Sequence, residues 1–156
     1  SLLKSQRSSA SSAAMSMSAL SSFVTAQMSA MKTDQGARRR MFERSGRRAE
    51  AAAALWLQLK GYRILERRAR TPLGEIDLVA ARRNMLIFVE VKSRHSFEAA
   101  LEAVTPELRR RVEQAARLWV SRRRTMQNWL WRFDIVLLSP GRLPRHMPDA
   151  WRAERG

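Results

Sequence analysis

The chain has 156 residues, with 30 Lys+Arg against 14 Asp+Glu, a formal net charge of +16 and a pI near 11.8. That length holds one domain and a tail. Zero Cys excludes a disulfide framework, thiolate zinc and a cysteine nucleophile, and two isolated His (His95, His146) exclude an all-imidazole metal cluster. Any metal must therefore be held by carboxylates, which selects a hard cation. No run approaches the ~18 to 20 apolar residues of a membrane span, so no membrane insertion is expected. The charge favours a polyanionic partner, nucleic acid ahead of an anionic membrane surface, because neutralising phosphates releases condensed counterions. Base composition alone also produces such a skew toward Arg, since only Lys4, Lys32, Lys60 and Lys92 are Lys.

Residues 1–33 are rich in Ser, Ala and Met and contain no acid. They carry no sustained apolar period, so residues 1–37 are expected to be a disordered extension ahead of a single domain over 38–156. Arg38 to Arg48 forms a basic arm or the fraying start of a helix. Ala49 to Lys60 reads as a helix with Ala52, Leu55, Trp56 and Leu59 at i, i+3, i+4, i+7, stopped by Gly61. Tyr62 to Arg70, Glu75 to Arg82 and Met85 to Lys92 read as three strands, the last two joined by a tight Arg83-Asn84 turn. Thr105-Pro106-Glu107 starts a second helix running to about Arg123, with Leu108, Val112, Ala115, Ala116 and Trp119 as its apolar stripe. Arg132 to Ser139 is a fourth strand, and Pro148 to Arg152 is expected to add a last helical turn. The order α-β-β-β-α-β predicts an α/β fold, a mixed central sheet flanked by helices.

The stretch GEIDLVAARRNMLIFVEVKSR, Gly74 to Arg94, carries the chemistry. A hairpin centred on Arg83-Asn84 sets Asp77 opposite Glu90, with Cβ atoms ~4.5 to 5.5 Å apart, and two like charges there repel. Period-two alternation puts Lys92 on the face of Glu90. Either Lys92 bridges the two acids in a solvated ion triad, or the patch is a site. Stability alone is served better by apolar residues than by such a triad, which argues for the site. Two carboxylates and a backbone carbonyl make a partial oxygen shell for Mg²⁺ or Mn²⁺, and Lys92 can orient a water or stabilise charge at phosphorus. The reaction inferred is metal-assisted hydrolysis of a phosphodiester. Asp134 reads as a salt-bridge partner for a helix Arg, and the five Trp as packing residues.

GEIDLVA followed by FVEVKSR resembles the signature of the YraN family, bacterial proteins of the restriction-endonuclease-like PD-(D/E)XK fold, akin to archaeal Holliday junction resolvases. GRRAEAAAALWLQLKGYRILERR, EAVTPELRRRVEQAARLWV, RFDIVLLS and HMPDAW extend the likeness from about Gly46 to Arg152. The resemblance implies an αβββαβ core and a DNA endonuclease, with branched recombination or repair intermediates among its substrates. It implies that Asp77, Glu90 and Lys92 are catalytic, Ile76 standing where a Pro is weakly required. Asp77, Glu90, the Val91 carbonyl and Glu50 are the implied metal ligands. Glu50 also reads as an ordinary first-turn helix acid. Glu75 and Gln114 are candidate supporting residues around the ligands, and Arg94, Arg109, Arg110 and Arg111 candidate contacts to the nucleic-acid backbone. Leu108 is a departure, since the family often carries Lys there. A homodimer and a cytoplasmic location are the accompanying expectations. The alternative is a non-catalytic nucleic-acid-binding or assembly module that keeps the nuclease fold; an anionic-lipid surface protein is a third reading.

Overall fold

The computed structural model describes residues 16–153. The chain divides into two units, Ser1–Phe42 and Glu43–Gly156. Helix α1 spans Met17–Leu59. The described part of the stretch expected to be disordered is therefore helical, while residues 1–15 lie outside the described residues. Ala, Met, Leu and Gln are good helix formers and no Pro interrupts them. In the first unit the large side chains of this helix, Leu20, Phe23, Val24 and Met28 among them, are exposed. Among the described residues no helix is long and apolar enough to cross a membrane.

The second unit is a five-stranded mixed sheet flanked by helices, the α/β class read from the sequence. The strands are β1 (Arg63–Thr71), β2 (Gly74–Arg82), β3 (Met85–Ser93), β4 (Leu130–Leu138) and β5 (Arg145–Trp151), in the order β1-β2-β3-β4-β5. The pairings are antiparallel except β3 with β4, which run parallel from Met85↔Leu130 to Ser93↔Leu138. Parallel neighbours need a crossover, here supplied by α2 (Phe97–Ala103) and α3 (Pro106–Ser121). Helix α2 escaped the sequence reading. It is short, but Ser96 caps it by accepting from Ala99 N at 3.2 Å. Helix α3 starts as its sequence dictates: the Thr105 hydroxyl accepts from Leu108 N, and Pro106 needs no partner for a missing N–H.

The sheet is covered on both faces. On one, Val79, Ala81, Leu86 and Phe88 pack against Val112, Ala115, Ala116 and Trp119 of α3. On the other, Leu78, Ala80, Ile87 and Val89 meet Ala53, Ala54 and Leu57 of α1. The buried α1 stripe is thus shifted by two positions, nearly to the opposite helix face, for Ala53, Ala54 and Leu57 are buried while Leu55 and Leu59 are exposed. Ala53 and Ala54 are small enough to let the helix lie close to the sheet, which a Leu55/Leu59 face would hold off. The helix ends as Gly61 predicts: Gly61 has φ +88°, its N–H donates to the Gln58 carbonyl, and the Tyr62 N–H donates to the Leu57 carbonyl.

The stretch Pro148 to Arg152 is not a helical turn: Pro148 to Trp151 lies in β5 and Arg152 follows it. Pro148 lacks a ladder donor and Asp149 has φ +52°, so the pairing skips from Ile135↔Met147 to Phe133↔Trp151. The fully buried Asp134 fills this irregularity. Its carboxylate accepts from Arg132 at 2.8 Å through both Nε and a terminal nitrogen, from the Asp149 N–H at 2.9 Å, and meets His146 Nε2 at 2.7 Å. Asp134 therefore pairs with a strand Arg rather than a helix Arg. Arg132 also donates to the Tyr62 hydroxyl at 2.8 Å, and His146 Nδ1 lies 2.7 Å from Lys60 Nζ.

Burial by itself would raise the Asp134 pKa, but the hydrogen bonds from His146, Arg132 and the Asp149 N–H outweigh it and hold it below the ordinary 3.8. A depressed carboxyl pKa stabilises the fold above the unfolded value, and that contribution is lost as pH falls through the folded one. Asp134→Ala strands the Arg132 guanidinium and is expected to cost about 3–5 kcal/mol. Urea denaturation at pH 7 measures it, and a loss under about 1 kcal/mol would show that the network carries little of the stability. The difference between wild type and variant is expected to shrink below about pH 4.

Candidate active site

The hairpin forms in the register its turn and alternation specify. Pairs run from Arg82↔Met85 to Leu78↔Val89, which sets Asp77 facing Glu90. The ladder stops there. The Val91 N–H donates to Asp77 Oδ2 at 2.8 Å, and the regular pairing of the two strands ends at Leu78↔Val89.

A second distortion lies on the other side of β2. Strict alternation would put Ile76 with Leu78, yet Ile76 joins Val79 and Ala81 in the α3-side core. The phase slips at Asp77. Its opposite position on β1, between Arg67↔Leu78 and Ala69↔Ile76, is Arg68, with φ +50°. An Arg in this left-handed conformation is uncommon and costs energy. The conformation delivers the guanidinium to Glu50 of α1, Nε to Oε2 at 2.6 Å, in a pair only 27% and 12% exposed. Hydrogen bonding to Glu50 raises the Arg68 pKa, and the charges of Glu50, Glu75 and Asp77 add to it.

Lys92, with its side chain 17% exposed, sits 2.9 Å from Glu90 Oε1. Glu90 is buried and Asp77 half-buried. Burial first, then the charge of Glu90, push the Asp77 carboxyl from 3.8 up to about 7; the Val91 N–H and Lys92 offset only part of this. Asp77 thus keeps a proton near neutrality.

The sequence candidates divide into two groups. Asp77, Glu90, Lys92 and the Val91 backbone come together, and the charge of Glu50 reaches Asp77, although its carboxylate is engaged by Arg68. Glu75 meets Arg70 at 3.2 Å on the surface, which the slip at Asp77 explains: the two acids no longer share a face by simple alternation. Gln114 is exposed. Arg109 turns its Nε to the Val104 carbonyl, Arg110 lies 3.6 Å from Glu107, and Arg94 bonds the Ser93 carbonyl. Arg111 is exposed, its carbonyl 3.2 Å from where a Cβ on Gly74 would sit. Arg68 was not singled out in the sequence; one Arg among Arg67, Arg68 and Arg70 carries no signal of a positive φ. Among the described residues no three His, Cys, Asp or Glu side chains converge on one metal position. The acids available to a cation are the Asp77 and Glu90 pair. Their burial and mutual repulsion fit a hard divalent ion, which typically takes one or two carboxylates and completes its shell with water and substrate oxygen.

A mixed α/β domain with a buried acid pair and a lysine at an opened hairpin is the class of molecule these features define. The chain belongs to the family described as "Uncharacterised protein family UPF0102", whose model matches residues 49–138. It is 54% identical over 122 residues to a UPF0102 protein of Caulobacter sp. (strain K31), covering 78% of this chain and 86% of that protein. A UPF0102 protein of Paramagnetospirillum magneticum is 48% identical over 116 residues, covering 72% and 90%. One of Rhizobium etli is 50% identical over 108 residues, covering 69% and 88%. The matched family region spans α1 from Ala49 through the end of β4 and so contains Glu50, Asp77, Glu90 and Lys92.

A raised folded-state carboxyl pKa favours the fold while that group is protonated, so stability falls as pH climbs from about 4 to about 7. Asp77→Asn is expected to flatten that part of the stability profile relative to wild type. Carboxyl carbon NMR should find a titration near pH 7 that the variant lacks. An Asp77 signal titrating at pH 4 would show that the pair is more solvated than its geometry indicates.

Proposed function

We propose that this protein is a metal-dependent endonuclease of the PD-(D/E)XK design, as its YraN-like signature implies, hydrolysing phosphodiester bonds in DNA and accepting branched forms. The observation that carries this reading is the Asp77 and Glu90 pair, with a carboxyl pKa pushed up to about 7 and a lysine 2.9 Å from one of its acids. Such a cluster costs stability and has a ready use when a divalent cation and a phosphate arrive. Mg²⁺ or Mn²⁺ held by Asp77 and Glu90, with the Val91 carbonyl as backbone donor, would supply Lewis acidity toward a phosphoryl oxygen and toward water. As a ligand Asp77 would be held as the carboxylate, its proton released to solvent. Lys92, held by Glu90, donates to the attacking water or to charge building on phosphorus. The surrounding cations draw in the polyanion.

A binding-only module is favoured by one specific observation: Glu50, the third acid, is committed to Arg68. Calorimetric titration with Mg²⁺ or Mn²⁺ separates the two readings. The nuclease reading expects wild type to bind and Asp77→Asn to lose binding. It further expects Glu90→Gln and Lys92→Ala to lose about a hundredfold or more in cleavage of duplex or four-way DNA while still binding it. No metal uptake by wild type, or cleavage unchanged in these variants, would overturn the assignment.

A further inference from the structure

Between the edge strand β1 and the C-terminal half of α3 lies an open groove of about 400 Å³, lined by Glu66, Arg70, Thr71, Trp119, Arg122 and Arg123. None of these residues belongs to the acid pair. We propose that this groove grips the sugar-phosphate backbone of the nucleic acid flanking the active site, with Arg70 and Arg122 as its phosphate contacts. The inference rests on the nuclease reading and extends it to where the polymer runs.

The floor of the groove is built and rigid. Glu66 Oε2 accepts from Trp119 Nε1 at 2.7 Å and from Arg123 at 3.0 Å. Arg123 stacks on the Trp119 ring, 3.6 Å from its centroid, and donates to the Trp119 carbonyl at 2.9 Å. These contacts consume the charge of the acid in the groove and immobilise one arginine. What remains toward solvent is cationic: Arg122 is exposed, and Arg70 meets Glu75 in a pair 76% and 42% exposed. An ion pair so open to water is worth little and exchanges readily for a phosphate.

The other end is fixed by the β1–β2 turn. Thr71 Oγ1 donates to the Gly74 carbonyl at 2.9 Å and accepts from the Leu73 and Gly74 N–H groups. Gly74, with φ +155°, approaches α3 so closely that a Cβ would lie 3.2 Å from the Arg111 carbonyl. Arg70 pairs with Glu75 across the ladder, two residues before Asp77 on the same strand, a run of about 7 Å. By contrast, Arg109 donates its Nε to the Val104 carbonyl just ahead of its own helix. A bare edge strand invites another strand to pair with it; arginines over a preformed groove suit a phosphodiester chain instead.

The test is fluorescence anisotropy of full-length protein on labelled duplex DNA, in EDTA, across a salt series. Each phosphate contact contributes about 0.9 to the slope of log K against log salt. Arg70→Ala/Arg122→Ala is therefore expected to lower the slope by nearly 2 and to weaken binding roughly tenfold at moderate salt. Arg83→Asn/Arg142→Ala removes the same charge from exposed turns elsewhere and is expected to change the slope by much less. Equal losses in the two double variants, or no loss in the first, would overturn the groove. Displacement of the DNA by anionic phosphatidylglycerol vesicles but not by unlabelled duplex would overturn it in favour of a lipid surface. Wild type that does not bind DNA at all would instead sink the nuclease reading. Matching melting curves for wild type and both variants confirm that folding is intact.

Discussion

Two carboxylates that repel each other are held at the mouth of a hairpin, and most of what is unusual in this molecule follows from accommodating them. The Asp77 carboxylate takes the Val91 N–H, and the regular β2–β3 pairing ends at Leu78↔Val89. At Asp77 β2 slips in phase, and Arg68 adopts a positive φ on the opposite strand. Lys92 and the Glu50–Arg68 pair surround the gap with compensating charge. A core closed over both faces of the sheet supplies the stability against which this concession is made.

Asp134 shows what the same residue type looks like when its surroundings serve the fold. It is more deeply buried than Asp77, yet three nitrogens of Arg132 and Asp149 together with His146 converge on it, and its pKa is depressed. Asp77 has one backbone donor and a like charge across the gap, and its pKa is raised. Burial pushes both carboxyls the same way; the donor count decides the sign. Two acids of one sheet, on β2 and β4, thereby separate into one that anchors the fold and one that keeps its proton near neutrality.

The hairpin was legible because a tight turn flanked by apolar alternation leaves one register that buries the right face. The α3 start was legible because hydroxyl, Pro and acid agree within three residues, and the Gly61 stop because a positive φ has few residue choices. Legibility failed where the outcome depended on partners distant in sequence. The α1 phase turned on how closely the sheet admits Ala53 and Ala54. A strand replaced the last helical turn because Asp134 supplies an acceptor for Asp149. Arg68 cannot be told from its neighbours until β1 is paired and α1 is docked. In a chain with 26 arginines, identity says little about role, and which ones line a groove is decided by packing.

The opened hairpin also bears on the order in which the domain acquires its parts. Asp77 and Val91 are fourteen residues apart, so the acid pair is assembled from one short excursion of the chain. The parallel β3–β4 ladder must wait for the whole α2–α3 passage to close, and contacts spanning long loops form late and slowly. The charged gap is thus framed by one of the two short hairpin closures of the sheet. The apolar core that α3 closes against the sheet belongs to the slower half of folding.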